Sequence, residues 1–146
     1  MSTKVLIADD SDIIRSAIRR MLEEEAKIDV VGEAENFAKA IQMVGDLKPD
    51  VLLLDLRMPD DRDIRADLIK AQLGCVCTLA VSFSNDDEAR DLARSYGAVA
   101  LLDKMTLFRE IVPAIMQCKS RDSDVGNLLR KPLQPKNANR LEIQSL

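Results

Sequence analysis

The sequence has no histidine and no tryptophan, and it has only three phenylalanines and one tyrosine. Without histidine, neither a histidine general acid or base nor a Ser-His-Asp triad can be present. A zinc site that needs histidine ligands is excluded for the same reason. No apolar run approaches the ~20 residues that a membrane-spanning helix needs, and no signal peptide precedes the first predicted strand. We therefore expect no membrane partner and a cytoplasmic location.

Cysteine is also scarce, and its three positions form no recognisable framework. Cys75 and Cys77 are separated by one residue, so they are not a Cys-x-x-Cys pair, and Cys118 is far from both in sequence. This spacing predicts buried, reduced thiols, which are usual in a reducing compartment.

Charge divides the 146 residues into two parts. The acidic excess lies in residues 1–118, whereas residues 119–146 are basic and are interrupted by Pro132 and Pro135. We predict one domain over residues 1–118, followed by a tail or partner-binding segment over 119–146 and no separate output domain. The net charge of −4 argues against general nucleic-acid binding. Because the tail has no two-helix pattern long enough for a helix-turn-helix, we expect no direct contact with nucleic acid.

Short apolar runs alternate with amphipathic segments five times along the acidic part. Pro113 lies inside the last amphipathic segment, so that helix either starts late, near Ile111, or is kinked. The alternation predicts an α/β fold in which a parallel sheet is covered by helices on both faces. The predicted strands are residues 4–8, 29–34, 51–55, 76–81 and 98–102, and the predicted helices begin near residues 12, 36, 62, 86 and 107.

Polar side chains stand where four of these strands end. Asp9 and Asp10 follow the first strand, Asp55 ends the third, Ser82 follows the fourth and Lys104 comes after the fifth. Because parallel strands open their carboxyl ends on one edge, we expect these groups to converge. Three close carboxylates repel one another unless a cation lies among them, and Mg²⁺ prefers such hard oxygen ligands. A lysine and a hydroxyl beside them suit a tetrahedral oxyanion such as phosphate.

Asp55 lies in the middle of this set and is the candidate nucleophile, which would form an acyl phosphate. Each member alone has an ordinary explanation, such as a helix cap, a loop hydroxyl or a surface lysine; their combination points to phosphoryl chemistry. A phosphatase with an aspartyl nucleophile is one alternative, but that class needs a second acid two residues later, where this chain has Arg57.

The combined motifs resemble the receiver domain of two-component response regulators. The resemblance extends from Lys4 to about Cys118. It implies a doubly wound five-stranded sheet in the flavodoxin-like order 2-1-3-4-5. It also implies a phosphorelay in which Asp55 takes a phosphoryl group from a histidine kinase or phosphotransfer protein and signals to a downstream protein partner or a homodimer. The motifs that carry it are Ile-Ala-Asp9-Asp10, Leu-Leu-Leu-Asp55-Leu-Arg-Met-Pro59, Val81-Ser82 and Gly97-Ala98 followed by Leu102-Asp103-Lys104.

The resemblance also assigns roles to individual residues. Asp9, Asp10, Asp55 and the main-chain carbonyl of Arg57 would hold Mg²⁺. Lys104 and Ser82 would each bind a phosphoryl oxygen. The only catalysis implied is Mg²⁺-dependent self-phosphorylation from a phosphodonor and self-dephosphorylation.

The chain departs from the family pattern at its switch positions, which are Ser82 and Leu101. The family usually has tyrosine or phenylalanine at the position of Leu101, and a small residue where Phe83 follows the hydroxyl. Glycine is usual at Asp63, and proline is common at Met105. We therefore expect intact acceptor chemistry and an altered output switch. The alternative is a receiver-like interaction module in which phosphorylation switching is atypical or lost.

Overall fold

The computed structural model describes residues 2–123 and 144–145. Strands and helices alternate through the first of these ranges, as the sequence predicts. The strands are β1 (Thr3–Ala8), β2 (Ile28–Ala34), β3 (Val51–Asp55), β4 (Cys77–Ser82) and β5 (Ala100–Asp103). The helices are α1 (Asp12–Glu23), α2 (Phe37–Leu47), α3 (Ala66–Gln72), α4 (Asp87–Ser95) and α5 (Leu107–Ser123), and a 3-10 turn (Lys104–Thr106) precedes α5.

The five parallel strands lie in the order β2-β1-β3-β4-β5, which confirms the expected topology. A two-residue strand, β6 (Gln144–Ser145), pairs antiparallel with β5 at the edge of the sheet. Strand β6 could not be predicted, because two polar residues have no strand periodicity. The intervening part of the predicted tail, residues 124–143, lies outside the described residues.

The central strand β3 is buried along its whole length. Leu52 and Leu54 belong to a core cluster that also contains residues of α2, α3 and α4, whereas Val51 and Leu53 belong to a second cluster with residues of α1 and α5. A strand buried on both faces needs an unbroken apolar run, because successive side chains point to opposite faces. The helices on the two faces thus hold β3 rigid and fix the position of Asp55 at its end.

Side chains at the start of three helices cap them as residue type predicts. Ser11 accepts a hydrogen bond from the Ile14 amide, Asn36 from Lys39, and Asp86 from Ala89. The caps at Ser11 and Asp86 begin α1 and α4 directly after the loops that follow β1 and β4.

Helix α3 is shorter than predicted: it spans Ala66–Gln72, whereas the sequence suggested a helix from Arg62 to Gly74. Residues 59–63 form turns instead. The Asp60 carboxylate accepts hydrogen bonds from the amides of Phe37 and Ala38, at 2.9 and 3.0 Å, which ties this loop to the start of α2. Aspartates compete for backbone hydrogen bonds and favour turns, which explains the late start of α3.

Helix α5 contains Pro113 and starts at Leu107, which excludes the first of the two alternatives, a late start near Ile111. The helix also continues past residue 118 to Ser123. The proposed boundary between domain and tail therefore falls inside a helix. No helix among the described residues is long and apolar enough to cross a membrane.

Cys77 and Cys118 form a disulfide that links β4 to α5, with Cα atoms 6.1 Å apart. The prediction of reduced thiols is wrong for this pair, and Cys75 is free and exposed. The pairing arises because α5 packs on the face of β4 to which Cys77 points. A contact across 41 residues leaves no local spacing signal.

Candidate functional site

Asp9, Asp10 and Asp55 converge at the carboxyl edge of the sheet. One carboxylate oxygen from each lies within 4.8 Å of the others. Adjacent pairing of β1 with β3 brings Ala8 opposite Leu54, so the residues that follow them stand side by side. Asp9 is 2% exposed and Asp55 is 4% exposed, whereas Asp10 faces solvent. The cluster therefore has two buried acids and one accessible acid.

Lys104 brings a positive charge to the buried acids. Its Nζ lies 2.8 Å from Asp9 Oδ2 and 3.4 Å from Asp55 Oδ1, and its side chain is 7% exposed. The 3-10 turn after β5 starts at Lys104, and the Asp103 carboxylate accepts a hydrogen bond from the Met105 amide at 2.8 Å to hold that turn. One lysine compensates only part of the charge of three ionised carboxylates.

Burial and, after it, the nearby Asp9 charge raise the pKa of Asp55 to about 6, against the opposing effects of Lys104 and the Arg57 amide. The Arg57 amide donates to Asp55 Oδ1 at 3.2 Å. An acidic cluster of this kind is favourable only with an additional cation. Its oxygen donors and its one exposed carboxylate fit a hard divalent ion that keeps part of its water shell.

Ser82 lies at the end of β4 and is buried. Asp55 pairs with Val81 in the β3–β4 register, so Ser82 stands one residue beyond it at the same edge. The Ser82 hydroxyl oxygen accepts a hydrogen bond from the Ser84 amide at 3.0 Å. This bond fixes the hydroxyl oxygen at the start of the loop that follows β4 and leaves its proton available for another acceptor.

The structure does not bring Leu101 into this cluster. Leu101 is 1% exposed and packs in the core cluster on the α2–α4 face. The Arg57 side chain points outward to Glu88, at 3.7 Å. Only the main chain of Arg57 contacts Asp55.

Arg15 supports the site, although it lies on α1 and not at a strand end. Its Nη1 donates to the carbonyl oxygen of Asp9 at 2.5 Å, and its Nε donates to Glu33 Oε1 at 3.1 Å. Arg19 also binds Glu33, and this pair holds the pKa of Glu33 below its usual value. These contacts fasten the end of β1 to α1 and β2. Helical periodicity could not reveal them, because they depend on which strand lies beside α1.

Phe83 is the other residue whose part in the site was missed. Its ring centroid lies 5.0 Å from Lys104 Nζ, within cation–π range. The sequence marked Phe83 only as unusually large for its position. Its contact with Lys104 requires the two neighbouring loops of the folded chain.

Comparison with known proteins identifies the family to which this site belongs. The model of the response regulator receiver domain matches residues 5–116. The transcriptional regulatory protein PdtaR of Mycobacterium tuberculosis is 32% identical over 127 residues, which cover 86% of this chain and 60% of that protein. The response regulator GacA of Pseudomonas aeruginosa is 32% identical, over 78% of this chain and 54% of the relative. The chain thus spans between half and two thirds of the length of these two relatives.

Solved structures agree with the fold. The receiver domain of the response regulator NarL from Mycobacterium tuberculosis is 30% identical and superposes with a TM-score of 0.71, over 80% of this chain and 95% of that one. The response regulator domain of CheB from Thermotoga maritima also has a TM-score of 0.71, at 24% identity over 81% of this chain and 96% of that one. At that identity the likeness concerns the fold alone.

Proposed function

The chain belongs to the response regulator receiver family, and we propose that it accepts a phosphoryl group on Asp55 in a two-component phosphorelay. The observation that carries the proposal is the buried Asp55 beside Asp9, Asp10 and Lys104 at the carboxyl edge of the sheet. Asp55 is the nucleophile, Lys104 compensates part of the negative charge, and the three carboxylates offer oxygen ligands for a cation.

In the proposed reaction, a carboxylate oxygen of Asp55 attacks the phosphorus of a phosphohistidine. The bond from phosphorus to the imidazole nitrogen breaks, and the nitrogen keeps the electron pair and takes up a proton. The product is an acyl phosphate on Asp55. Because this chain has no histidine, the phosphohistidine has to come from another protein, a histidine kinase or phosphotransfer protein.

Lys104 and Ser82 would bind the oxygens of the transferred group. Lys104 is already 3.4 Å from the Asp55 oxygen and would exchange its bond to Asp9 for one to phosphate. The Ser82 hydroxyl, whose oxygen accepts a hydrogen bond from the Ser84 amide, would donate its proton to a second oxygen. Only the contact of Lys104 with Asp9 would have to be exchanged, because a phosphoryl oxygen can replace a carboxylate oxygen as its acceptor.

Asp9, Asp10, Asp55 and the carbonyl of Arg57 would hold Mg²⁺. When bound, this ion neutralises charge that builds up on the phosphoryl oxygens. We further propose that self-phosphorylation and self-dephosphorylation are the only catalysis of the receiver domain, and that the protein works in the cytoplasm. Its output would be contact with a protein partner or a second copy.

The exposed apolar side chains near the site fit the approach of a protein donor. Ile13 follows the acidic pair by a few residues and is 83% exposed, and Met105 follows Lys104 and is 74% exposed. Exposed apolar groups around a functional opening are typical of a contact surface. We expect a donor protein to cover them while its phosphohistidine reaches Asp55.

Trapping of the acyl phosphate tests the proposed acceptor. The protein is treated with acetyl phosphate and Mg²⁺, and borohydride then reduces the acyl phosphate, which converts the acceptor aspartate to homoserine. Peptide mass spectrometry should find homoserine at position 55. Homoserine at Asp9, Asp10 or another aspartate instead would overturn the assignment.

A receiver-like interaction module remains the second candidate, favoured by the buried Leu101 at a switch position. The same experiment separates the two, because a module that has lost phosphorylation yields no homoserine.

A further inference from the structure

Phe83 occupies an unusual position for a large apolar residue. It follows Ser82 directly, and it is 64% exposed. Its ring nevertheless has a specific partner, because the centroid lies 5.0 Å from the Nζ of Lys104. A ring at this distance attracts an ammonium group through its negative face, by about 0.5–2 kcal/mol.

The ring completes the enclosure of Lys104. The ammonium contacts Asp9 and Asp55 on one side, and the Phe83 ring lies over it on another. The lysine side chain is only 7% exposed, although it stands at the edge of the sheet. The ring is therefore a partner of the cation that has to meet the phosphoryl group.

Beyond Lys104, Phe83 also forms part of an apolar groove of about 130 Å³ between α1 and α5. The residues that line the groove with it are Ile14, Ala17, Ile18, Met21, Leu107 and Phe108, together with Lys104. The ring thus stands between this groove and the acidic cluster.

The ring is also coupled to Ser82. The Ser84 amide donates to the Ser82 hydroxyl oxygen, so the two serines close a turn with Phe83 between them. Removal of the ring should leave the turn intact, because the bond uses no atom of Phe83.

We propose that Phe83 is a specificity-determining residue of the phosphoacceptor site, which closes its side toward α1 and α5 against small phosphodonors and water. This inference rests on the proposed function of Asp55. Access would remain on the side of the exposed Asp10 and Arg57, from which a protein donor can present its phosphohistidine. We therefore expect phosphorylation by small phosphodonors and hydrolysis of the acyl phosphate both to be slower than they would be without the ring.

Two reactions report on this closure. In phosphorylation by acetyl phosphate, an Asp55 oxygen attacks phosphorus, the P–O bond to the acetyl group breaks and acetate leaves with the electron pair. In hydrolysis, a water oxygen attacks phosphorus, the P–O bond to Asp55 breaks, and carboxylate and inorganic phosphate are released. In both, a small molecule has to reach Asp55, and the Phe83 ring covers one of the two sides from which it can approach.

The test measures both rates by intact mass, with Mg²⁺ present, for wild type, Phe83→Ala and Phe83→Tyr. Phe108→Ala is the matched control, because Phe108 is 70% exposed and lines the same groove without covering Lys104. We expect Phe83→Ala to accelerate each reaction about fivefold, the change that loss of one such contact produces. Phe83→Tyr, which keeps the ring, and Phe108→Ala should stay near wild type.

The outcomes separate this inference from the proposed function. Equal rates for wild type and Phe83→Ala, or equal acceleration by Phe108→Ala, would overturn the role of Phe83 and leave Asp55 as the acceptor. Labelling at Asp55 in every protein, faster in Phe83→Ala than in wild type and Phe108→Ala, would support both claims. Failure of every variant to take up phosphate at Asp55 would contradict the proposed function and this inference together.

Discussion

Lys104 lies closer to Asp9 than to Asp55: its Nζ is 2.8 Å from Asp9 Oδ2 and 3.4 Å from Asp55 Oδ1. The shorter contact of Lys104 is therefore with Asp9 and not with Asp55, the candidate nucleophile. Asp55 keeps a pKa raised to about 6, chiefly by burial and then by the Asp9 charge. The metal-free cluster is thus unfavourable when all three acids are ionised, and two predictions depend on this.

Asp55→Asn should stabilise the metal-free protein at neutral pH. The folded-state pKa of about 6 lies above the ordinary value of 3.8, so ionisation of Asp55 opposes folding. Its destabilising effect is absent below about pH 4 and grows as pH rises through about 6. The shift corresponds to a gain of at most about 3 kcal/mol at neutral pH.

Urea unfolding in the presence of a chelator, at several pH values, measures this gain. The free energies of unfolding of the two proteins should converge in acid and separate with rising pH. A variant that is less stable at neutral pH, or a difference that does not change with pH, would contradict the account.

Mg²⁺ should raise the melting temperature of the wild type, because it relieves the carboxylate repulsion and binds only the folded site. At about ten times the dissociation constant the gain is about 1.4 kcal/mol, or roughly 3–6 °C. Asp10→Ala should lose most of this shift. Asp12→Ala is the control, since Asp12 is exposed, pairs with Arg15 and lies outside the acidic cluster. Scanning calorimetry with and without Mg²⁺ measures the melting temperatures. Equal shifts in wild type, Asp10→Ala and Asp12→Ala would show that the ion binds outside the acidic cluster.

Reduction of the disulfide between Cys77 and Cys118 should lower the free energy of unfolding. The bond closes a loop across 41 residues, and loss of such a constraint on the unfolded chain costs about 2–4 kcal/mol. Urea midpoints with and without dithiothreitol measure the effect. Cys77→Ser should make the midpoint insensitive to reductant, whereas Cys75→Ser, at the free exposed cysteine, should respond like wild type. If the urea midpoint of wild type is the same with and without dithiothreitol, the disulfide is not formed in solution.

Phosphorylation should change the surface of α4, β5 and α5 less than in receivers with an aromatic switch residue. Leu101 is already buried and lacks a hydroxyl, so its position should differ little between the two states of this surface. Phosphate can shift the equilibrium between the two states only by the difference in its contacts with them, and Leu101 contributes little to that difference. With beryllofluoride as a phosphoryl mimic, NMR shifts should concentrate near Asp10, Asp55, Ser82 and Lys104. Leu101→Tyr should extend them. Large wild-type shifts from Arg90 through Ile115, with a change from monomer to dimer, would prove this prediction wrong.

Much of this fold could be predicted from the sequence because its signals are local. The apolar run from Val51 to Leu54 predicts a strand buried on both faces, and the structure buries all of it. The convergence of Asp9, Asp55 and Lys104 follows from a general property of parallel sheets, that their carboxyl ends share one edge. The identity of the strand neighbours came from the family resemblance, since periodicity does not specify strand order.

What could not be predicted depends on long-range packing. The Cys77–Cys118 bond needs α5 on the face of β4 to which Cys77 points. The contact of Phe83 with Lys104 joins two loops, and the turns before α3 depend on Asp60 reaching α2. In each case the residue type is ordinary, and only its neighbour in space gives it a role.

The measurement that tests the central claim most directly is intact mass after incubation with acetyl phosphate and Mg²⁺, for wild type and Asp55→Asn. The account predicts that wild type gains one phosphoryl group, that chelation of Mg²⁺ prevents the gain, and that Asp55→Asn gains none. Equal labelling of wild type and Asp55→Asn would contradict it, because the phosphoryl group would then reside on another residue.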